Sequence, residues 1–390
     1  MSEQEQNQDN KKAKSINRPK KRLRSVLIII SGVISCLLLW RLFFYESVDE
    51  QLAAIEAARA IPDSENAAIL YDQLCKDYND FALPFHFVYP DDPKKMGPWF
   101  SKELPELAKW YEERQEMTTN LLQINKYEIC RFPILKFMED FPTISDRLST
   151  MRNMSVYLIR LANNDTAEGR IDKALEKYFC AIRIGRHNYQ QPFTLYFLIG
   201  MSAESLALAR MRYCILYSDL TEEHFHDINQ ALTQSDAEQT QNWENMITVE
   251  NLYAKQTPLL DRLKTWWYSQ RSTFDSIHEL YTRLLADRRG NKILLLLRNY
   301  KDKTDHWPQS LDELQPLADK DTLIDPQNNG SFIYTTTEDD FILYSRGPNK
   351  IDEGGRSPID GGDDWPIWPD KIPQTNEKNA VTELTNTEKK

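Results

Sequence analysis

MSVYLIRLANNDTAEGRIDKALEKYFCAIRIG, residues 154–185, carries two apolar stripes at helical spacing: Met154, Leu158 and Leu161, then Ile171, Ala174, Leu175, Tyr178 and Ile182. Between them the residues from Asn163 to Gly169 are polar and end in a glycine, the composition of a turn. Two antiparallel helices joined there bury both stripes against each other, so the fold class expected is mainly α.

The same grammar extends on both sides. Residues 46–290 hold few glycines. Upstream, Ile61-Pro62-Asp63-Ser64-Glu65-Asn66-Ala67-Ala68 joins an early proline and polar capping residues to an apolar pattern, and predicts a helix through Ile69, Leu70 and Leu74. Pro84, Pro90, Pro93 and Pro98 predict an irregular connection over 81–100. Downstream, Leu259, Leu260, Leu263, Trp267, Phe274, Ile277, Leu280, Tyr281 and Leu284 predict a core helix. Trp266, Trp267 and Tyr268 beside Arg262, Lys264 and Arg271 also suit a membrane interface.

Charge is divided unevenly over the 390 residues. Residues 1–45 hold nine Lys or Arg against three acids, and the remainder holds 39 basic and 56 acidic residues, a formal charge of −17. An acidic surface repels phosphate backbones, so no nucleic acid is expected as a partner. Eight of the basic residues precede an apolar run from Val26 to Tyr45, interrupted only by Arg41. Twenty residues span about 30 Å as a helix, the thickness of a bilayer core. The positive flank stays inside, so the chain is expected as a single-pass protein of a bacterial inner membrane with its bulk exported. Val33-Ile34-Ser35-Cys36 also fits a lipobox, but the apolar residues after Cys36 favour an uncleaved span. The other cysteines, Cys75, Cys130, Cys180 and Cys214, show no metal-ligand spacing and form at most two disulfides or remain buried thiols.

In the helix pair, Leu158, Leu161 and Ala162, then Gly169, Ala174, Tyr178 and Ala181, resemble a tetratricopeptide repeat, with Asp165 where that pattern has an aromatic. One unit is recognisable and a stacked array needs about three, so an ordinary helix hairpin fits equally. Near residue 290 the composition changes. Ile293 to Leu297 and Tyr300 continue a helix, Trp307-Pro308-Gln309-Ser310-Leu311-Asp312-Glu313-Leu314 ends it, and Asp325-Pro326 and Asn328-Asn329-Gly330 mark a bend. Phe332 and Tyr334, then Phe341, Leu343 and Ser345, alternate as in a two-stranded hairpin. A loop rich in glycine and aspartate follows, closing at Asp363-Asp364-Trp365 and Trp368.

Residues 290–368 thereby resemble the globular end of the major pseudopilin of type II secretion systems, a tail shared with uncharacterised planctomycete-type envelope proteins. The resemblance implies a small α+β module and a calcium-binding loop, with ligands at Asn349, Asp352 and Asp364 and with Ser345 and Asp363 beside them. A glycine-rich loop without a core gains a tie from a hard cation with six to eight oxygen ligands; a solvated acidic loop is the alternative. Asn349 stands where an aspartate is expected, and Lys350 where a small residue is usual. The cleavable leader and membrane-helix glutamate of a pilin are missing, so filament assembly is not implied.

The organisation expected is therefore a basic tail (1–24), a transmembrane helix (25–45), a multi-helix domain (46–285), a pseudopilin-like α+β module (286–370) and a disordered tail (371–390). No catalytic motif is present: there is no nucleophile elbow, phosphate-cradling loop or H-E-x-x-H. His224-Phe225-His226 lies on a surface helix, where residues two apart diverge, and His278-Glu279 lacks a second histidine one turn on. The expectation is a membrane-anchored interaction or structural protein with a protein partner and calcium. An accessory of a secretion or pilus-like machine is the next reading, and an enzyme with a scattered site the third.

Overall fold

The computed structural model describes residues 47–77, 97–134, 141–233, 236–256, 270–337 and 340–370. The basic tail, the apolar run with Cys36, residues 78–96, the segment with Trp266 and Trp267 and the tail 371–390 lie outside the described residues. Among the described residues no helix is long and apolar enough to cross a membrane. The chain divides into two compact units, Met1–Ala57 and Ala58–Lys390. In the first, Ser47 starts helix α1 (Val48–Ala58) with a reciprocal cap: the Glu50 amide donates to Ser47 Oγ (3.2 Å) and the Ser47 amide to Glu50 Oε2 (2.8 Å).

The second unit is mainly helical, with a small sheet at its carboxy-terminal end. Its helices are α2 (Ala67–Asp77), α3 (Pro105–Glu112), α4 (Gln115–Leu122), α5 (Phe141–Ala167), α6 (Ile171–Tyr189), α7 (Thr194–Tyr217), α8 (Glu222–Leu232), α9 (Asp236–Gln256) and α10 (Gln270–Thr304). The pair α5–α6 is the helix hairpin of residues 154–185; of its stripe residues Met154, Leu158, Ala174, Leu175, Tyr178 and Ile182 are buried, and Leu161 and Ile171 are half-buried. Helix α5 runs on to Ala167, one turn past Asn163. Asn163, Asn164 and Asp165 are not turn residues but buried polar groups with partners: Asn163 Oδ1 accepts from the Tyr178 hydroxyl (2.7 Å) and Asn164 Nδ2 donates to the Trp99 carbonyl (3.0 Å).

Helix α7 is mostly apolar and largely buried, and it packs against α5, α6 and α10. Its approach to α6 is close at one crossing, where a Cβ on Gly200 would stand 2.6 Å from the Gly185 carbonyl oxygen, so only glycine fits.

The segment entering α2 shows why an asparagine precedes Ala67. Asn66 Oδ1 accepts from the Ala68 amide (3.0 Å) and the Arg131 amide (2.8 Å), while its Nδ2 donates to the Arg131 carbonyl (3.0 Å). The helix expected through Ile69, Leu70 and Leu74 is α2; Ile69 is 46% exposed, and Tyr71 and Leu74 are buried. Tyr71 meets His187, whose Nε2 lies 3.0 Å from the Tyr127 carbonyl and whose Nδ1 lies 3.0 Å from the Tyr71 hydroxyl. A carbonyl only accepts, so the proton sits on Nε2 and Nδ1 accepts from the tyrosine. Burial, with the charge of Arg183, holds His187 down to about 3, and it stays neutral. Cys130, Cys180 and Cys214 are buried thiols and Cys75 a half-buried one; no disulfide joins them.

Helix α10 runs without a break across residues 285–286. Beyond it, Leu311–Leu314 form a single 3-10 turn, and the sheet has the order β1 (Ile333–Thr336), β2 (Phe341–Ser345), β3 (Trp365–Trp368), antiparallel throughout. The expected hairpin is β1–β2; β3 closes on its other side. Phe341, Leu343 and Ser345 face inward from β2. Beneath β3, a Cβ on Gly290 of α10 would stand 2.7 Å from Ile367 Cγ2, so the helix carries no side chain where the strand lies on it. Arg212 of α7 forms an ion pair with Asp287 of α10 and donates to the Ile367 carbonyl (2.8 Å), and Trp365 Nε1 donates to Asp287 Oδ1 (3.0 Å). The sheet is thus bolted to the helical body by buried charges as well as apolar contact.

Candidate cation-binding loop

Between β2 and β3 the chain makes a sixteen-residue excursion, Asn349 to Asp364, with no apolar core of its own. Ile351 and Ile359 are 61% and 95% exposed. Hydrogen bonds to carboxylate and amide side chains hold it together. Asp364 is the centre. Its side chain is fully buried, its Oδ2 accepts from the amides of Glu353 (3.0 Å) and Gly355 (2.7 Å), and its own amide donates to the Arg356 carbonyl (3.0 Å). Its Oδ1 is buried without a partner.

The other residues of the expected ligand set are placed as follows. Asn349 donates its amide to Asp363 Oδ2 (3.0 Å) and its Nδ2 to Glu353 Oε1 (2.7 Å), and its Oδ1 accepts from the Ile351 amide (2.7 Å). Asp352 Oδ1 is turned toward β2, where it accepts from the Tyr344 hydroxyl (2.7 Å) and from the Gly354 amide (2.9 Å). Ser345 is buried in the strand and accepts from Gln327 Nε2 (2.8 Å) and the Gly347 amide (3.1 Å). Asp363 Oδ1 lies 4.0 Å from Arg283 of α10. Asn349, Asp363 and Asp364 are thus linked through one further acid, Glu353, while Asp352 and Ser345 serve the strand.

Glu353 was not among the expected ligands. It joins Asn349, the Asp363 amide (3.3 Å to Oε2) and the Asp364 carboxyl. It has no motif position to mark it, since what selects it is the fold of the loop back onto Asp364, eleven residues away.

Electrostatics separate the two acids. Burial pushes the Asp364 carboxyl up to about 6, against the pull of the Gly355 amide and with the Glu353 charge adding to the rise. The hydrogen bond from Asn349 holds Glu353 below the ordinary range. Burial and the Glu353 charge thus disfavour the ionised form of Asp364, while Glu353 keeps its charge. Among the described residues no three Asp, Glu, His or Cys side chains converge as a metal cluster. The donor set is hard oxygen, and the unpartnered Oδ1 beside a second carboxylate fits a cation that draws its remaining ligands from backbone carbonyls and water.

Among the described residues the histidines join no metal-ligand cluster. His224 reciprocates the cap of α8: its amide donates to Thr221 Oγ1 (3.3 Å), its Nδ1 accepts from the Thr221 amide (3.1 Å), and its Nε2 lies 2.8 Å from Asp172. His278 lies beside Trp243, the ring centroids 5.7 Å apart and the planes tilted by 60°. No protein-family model matches this chain, and neither the curated proteins nor the solved structures contain a match to it.

Proposed function

We propose that this chain is a membrane-anchored, extracytoplasmic interaction or structural protein of a bacterial envelope, in which a pseudopilin-like carboxy-terminal loop takes up calcium at Asp364 and Glu353. The observation that supports the cation is the buried, unpartnered Asp364 Oδ1 next to a second carboxylate. Asp363 and Asn349 orient Glu353 and close the loop, and Asp352 anchors it to Tyr344. The anchor is supported by the basic flank and apolar run of residues 11–45.

A cation that binds the folded loop alone stabilises it by mass action, by about 1.4 kcal/mol for each tenfold excess over its dissociation constant. Millimolar calcium should raise the melting temperature of the full chain, magnesium should do less because it demands a tighter octahedron, and Asp364→Asn should remove the difference. Equal melting curves with calcium and with chelator would refute the site. The anchor has its own test: a reporter fused after Lys390 should be active only in an exported form.

A further inference from the structure

A cleft of about 310 Å³ lies between the last turn of α8, the middle of α10 and the segment 319–322. That is the lower end of the size range of small-molecule pockets. The deepest of its charged residues is Arg288, 4% exposed. Arg288 Nε and Nη2 are committed to Glu204 (2.7 and 2.8 Å), and Nη1, off the edge that faces this acid, is buried with no partner. It is the one terminal guanidinium nitrogen in that condition among the described residues. A buried donor without an acceptor is costly, and this nitrogen carries two N–H groups.

Positive charge is in excess around it. Glu204, the acid of Arg288, is shared with Arg186, which lies 3.7 Å from it and donates to the Ala231 carbonyl (2.6 Å), next to the cleft wall at Leu232. Burial holds Arg186 below its ordinary value against the attraction of Glu204, with the repulsion of Arg288 adding to the fall. At the mouth, Lys292 has Asp319 (3.3 Å). Half-buried Arg289 donates to the Ile324 carbonyl (2.7 Å) and has no acid among the described residues, and Lys320 and Asp321 are exposed neighbours with no ion pair there. Across the cleft and the layer behind it, five cations (Arg186, Arg288, Arg289, Lys292 and Lys320) therefore meet three acids, an excess of two.

We infer that this cleft receives the phosphate group of a small phosphomonoester. Such a group carries about −1.5 to −2 charges near neutral pH and three acceptor oxygens. The charge matches the excess. The three oxygens can accept from Arg288 Nη1 at the base and from Arg289 and Lys320 at the mouth together, where a planar carboxylate offers only two, and the guanidinium fork suits phosphate. Leu232 and Leu285 leave apolar wall for a short organic remainder. The cleft and the calcium loop share no residue, so either can fail alone.

The test is calorimetry on the full chain in calcium-free buffer. Inorganic phosphate and glycerol 3-phosphate should bind, and dimethyl phosphate, a monoanion with two free oxygens, should bind at least about tenfold more weakly, the loss of about one charge-assisted hydrogen bond. Arg289→Gln and Lys320→Gln, both outside the core, should each weaken glycerol 3-phosphate several-fold. Asp321→Asn, which takes an acid from the mouth, should tighten it, a gain that mere disturbance of the fold would not give. Phosphatidic acid vesicles offered in competition tell the source of the group: displacement of glycerol 3-phosphate assigns a lipid headgroup, and no displacement a free ester. Binding that is the same in the wild type and all three variants would put the anion elsewhere, as on the basic residues 11–24, and overturn the inference. Absence of heat from both phosphates up to about 10 mM would overturn it too.

Discussion

Two regions of this protein bury acids, and they treat them differently. In the helical body, Glu204 is fully buried and receives Arg288 at both oxygens (2.7 and 2.8 Å) and the Tyr189 hydroxyl (2.9 Å), with Arg186 at 3.7 Å. Burial alone would raise its pKa, yet the two arginines hold the carboxyl below its ordinary value. Asp287 likewise has Arg212, Ser205 (2.5 Å) and Trp365. In the carboxy-terminal loop, Asp364 is as deeply buried and receives two backbone amides and the Glu353 carboxyl, but no cation. Glu204 and Asp287 are each brought an arginine; Asp364 is not, and neither is Asp325, which is as deeply buried and is served by the Gln327 amide and by Asn328. On the proposed reading, a cation from solution is the partner of Asp364.

The largest expected effect breaks the first half of this comparison. Arg288→Met leaves Glu204 buried with Arg186 as its remaining cation, and removing one partner of a buried pair costs about 3–5 kcal/mol. Urea denaturation should show the loss in midpoint. If Arg288→Met were neutral, the buried acids of the body would not depend on their arginines, and the contrast with Asp364 would carry no meaning.

Next comes a change that turns Asp287 into a second Asp364. Arg212→Met removes the cation from Asp287 and the donor from the Ile367 carbonyl, while Ser205 and Trp365 still bond the carboxylate. A loss of about 3 kcal/mol is expected, the lower end of that range, because Arg212 meets one oxygen of Asp287 where Arg288 meets both oxygens of Glu204. Because Trp365 and Ile367 belong to β3, hydrogen exchange should quicken in the sheet before the helices.

Much of this architecture is legible in the residues, and the failures share a cause. The α5–α6 pair and the β1–β2 hairpin are visible because periodicity is a local property: Leu158 and Tyr178, or Phe341 and Leu343, mark their faces without reference to the rest of the chain. The end of α5 is misread by one turn because Asn163, Asn164 and Asp165 look like a turn until Tyr178, Trp99 and Lys177 are in place to bond them. Strand β3 is hidden for a similar reason. It is four residues long with Pro366 inside, and it is a strand only because the edge of β2 and Gly290 receive it. In the loop, Asp364 is suggested by resemblance. Glu353 and the separation of Asp352 from it are tertiary facts with no pattern in one dimension.

A smaller effect tests the second half of the comparison through pH. The folded protein holds a proton on Asp364 up to about pH 6, whereas an ordinary aspartate releases it near 3.8. Without calcium, the folded state binds more protons across that window, so stability falls as pH rises from about 4 to 6 and is level above. Asp364→Asn should flatten this slope and add at most about 3 kcal/mol at pH 7, since the rise from 3.8 to about 6 is about two units and each is worth about 1.4 kcal/mol. Calcium should flatten it as well, by supplying the charge that the chain does not. If the wild type shows the slope and calcium leaves it unchanged, the loop is an acid pair with no affinity for the metal.

The smallest expected effect concerns acids that need neither an arginine nor a metal because water already serves them. Asp172 is 93% exposed at its side chain and lies 2.8 Å from His224 Nε2. Exposed ion pairs are worth about 0–1 kcal/mol, so Asp172→Asn should shift stability by less than about 0.5 kcal/mol. Thr221 is part of the same local structure but plays a different role: its hydroxyl satisfies an amide at the start of α8 that has no helical partner. Thr221→Ala should therefore cost more, about 1 kcal/mol, the usual worth of such a cap. Thermal melts of the two variants side by side would separate the cap from the ion pair. Should Asp172→Asn prove as damaging as Thr221→Ala, the histidine's carboxylate partner would be supporting the helix start. Exposure would then no longer sort this protein's acids into those that require a cation and those that do not.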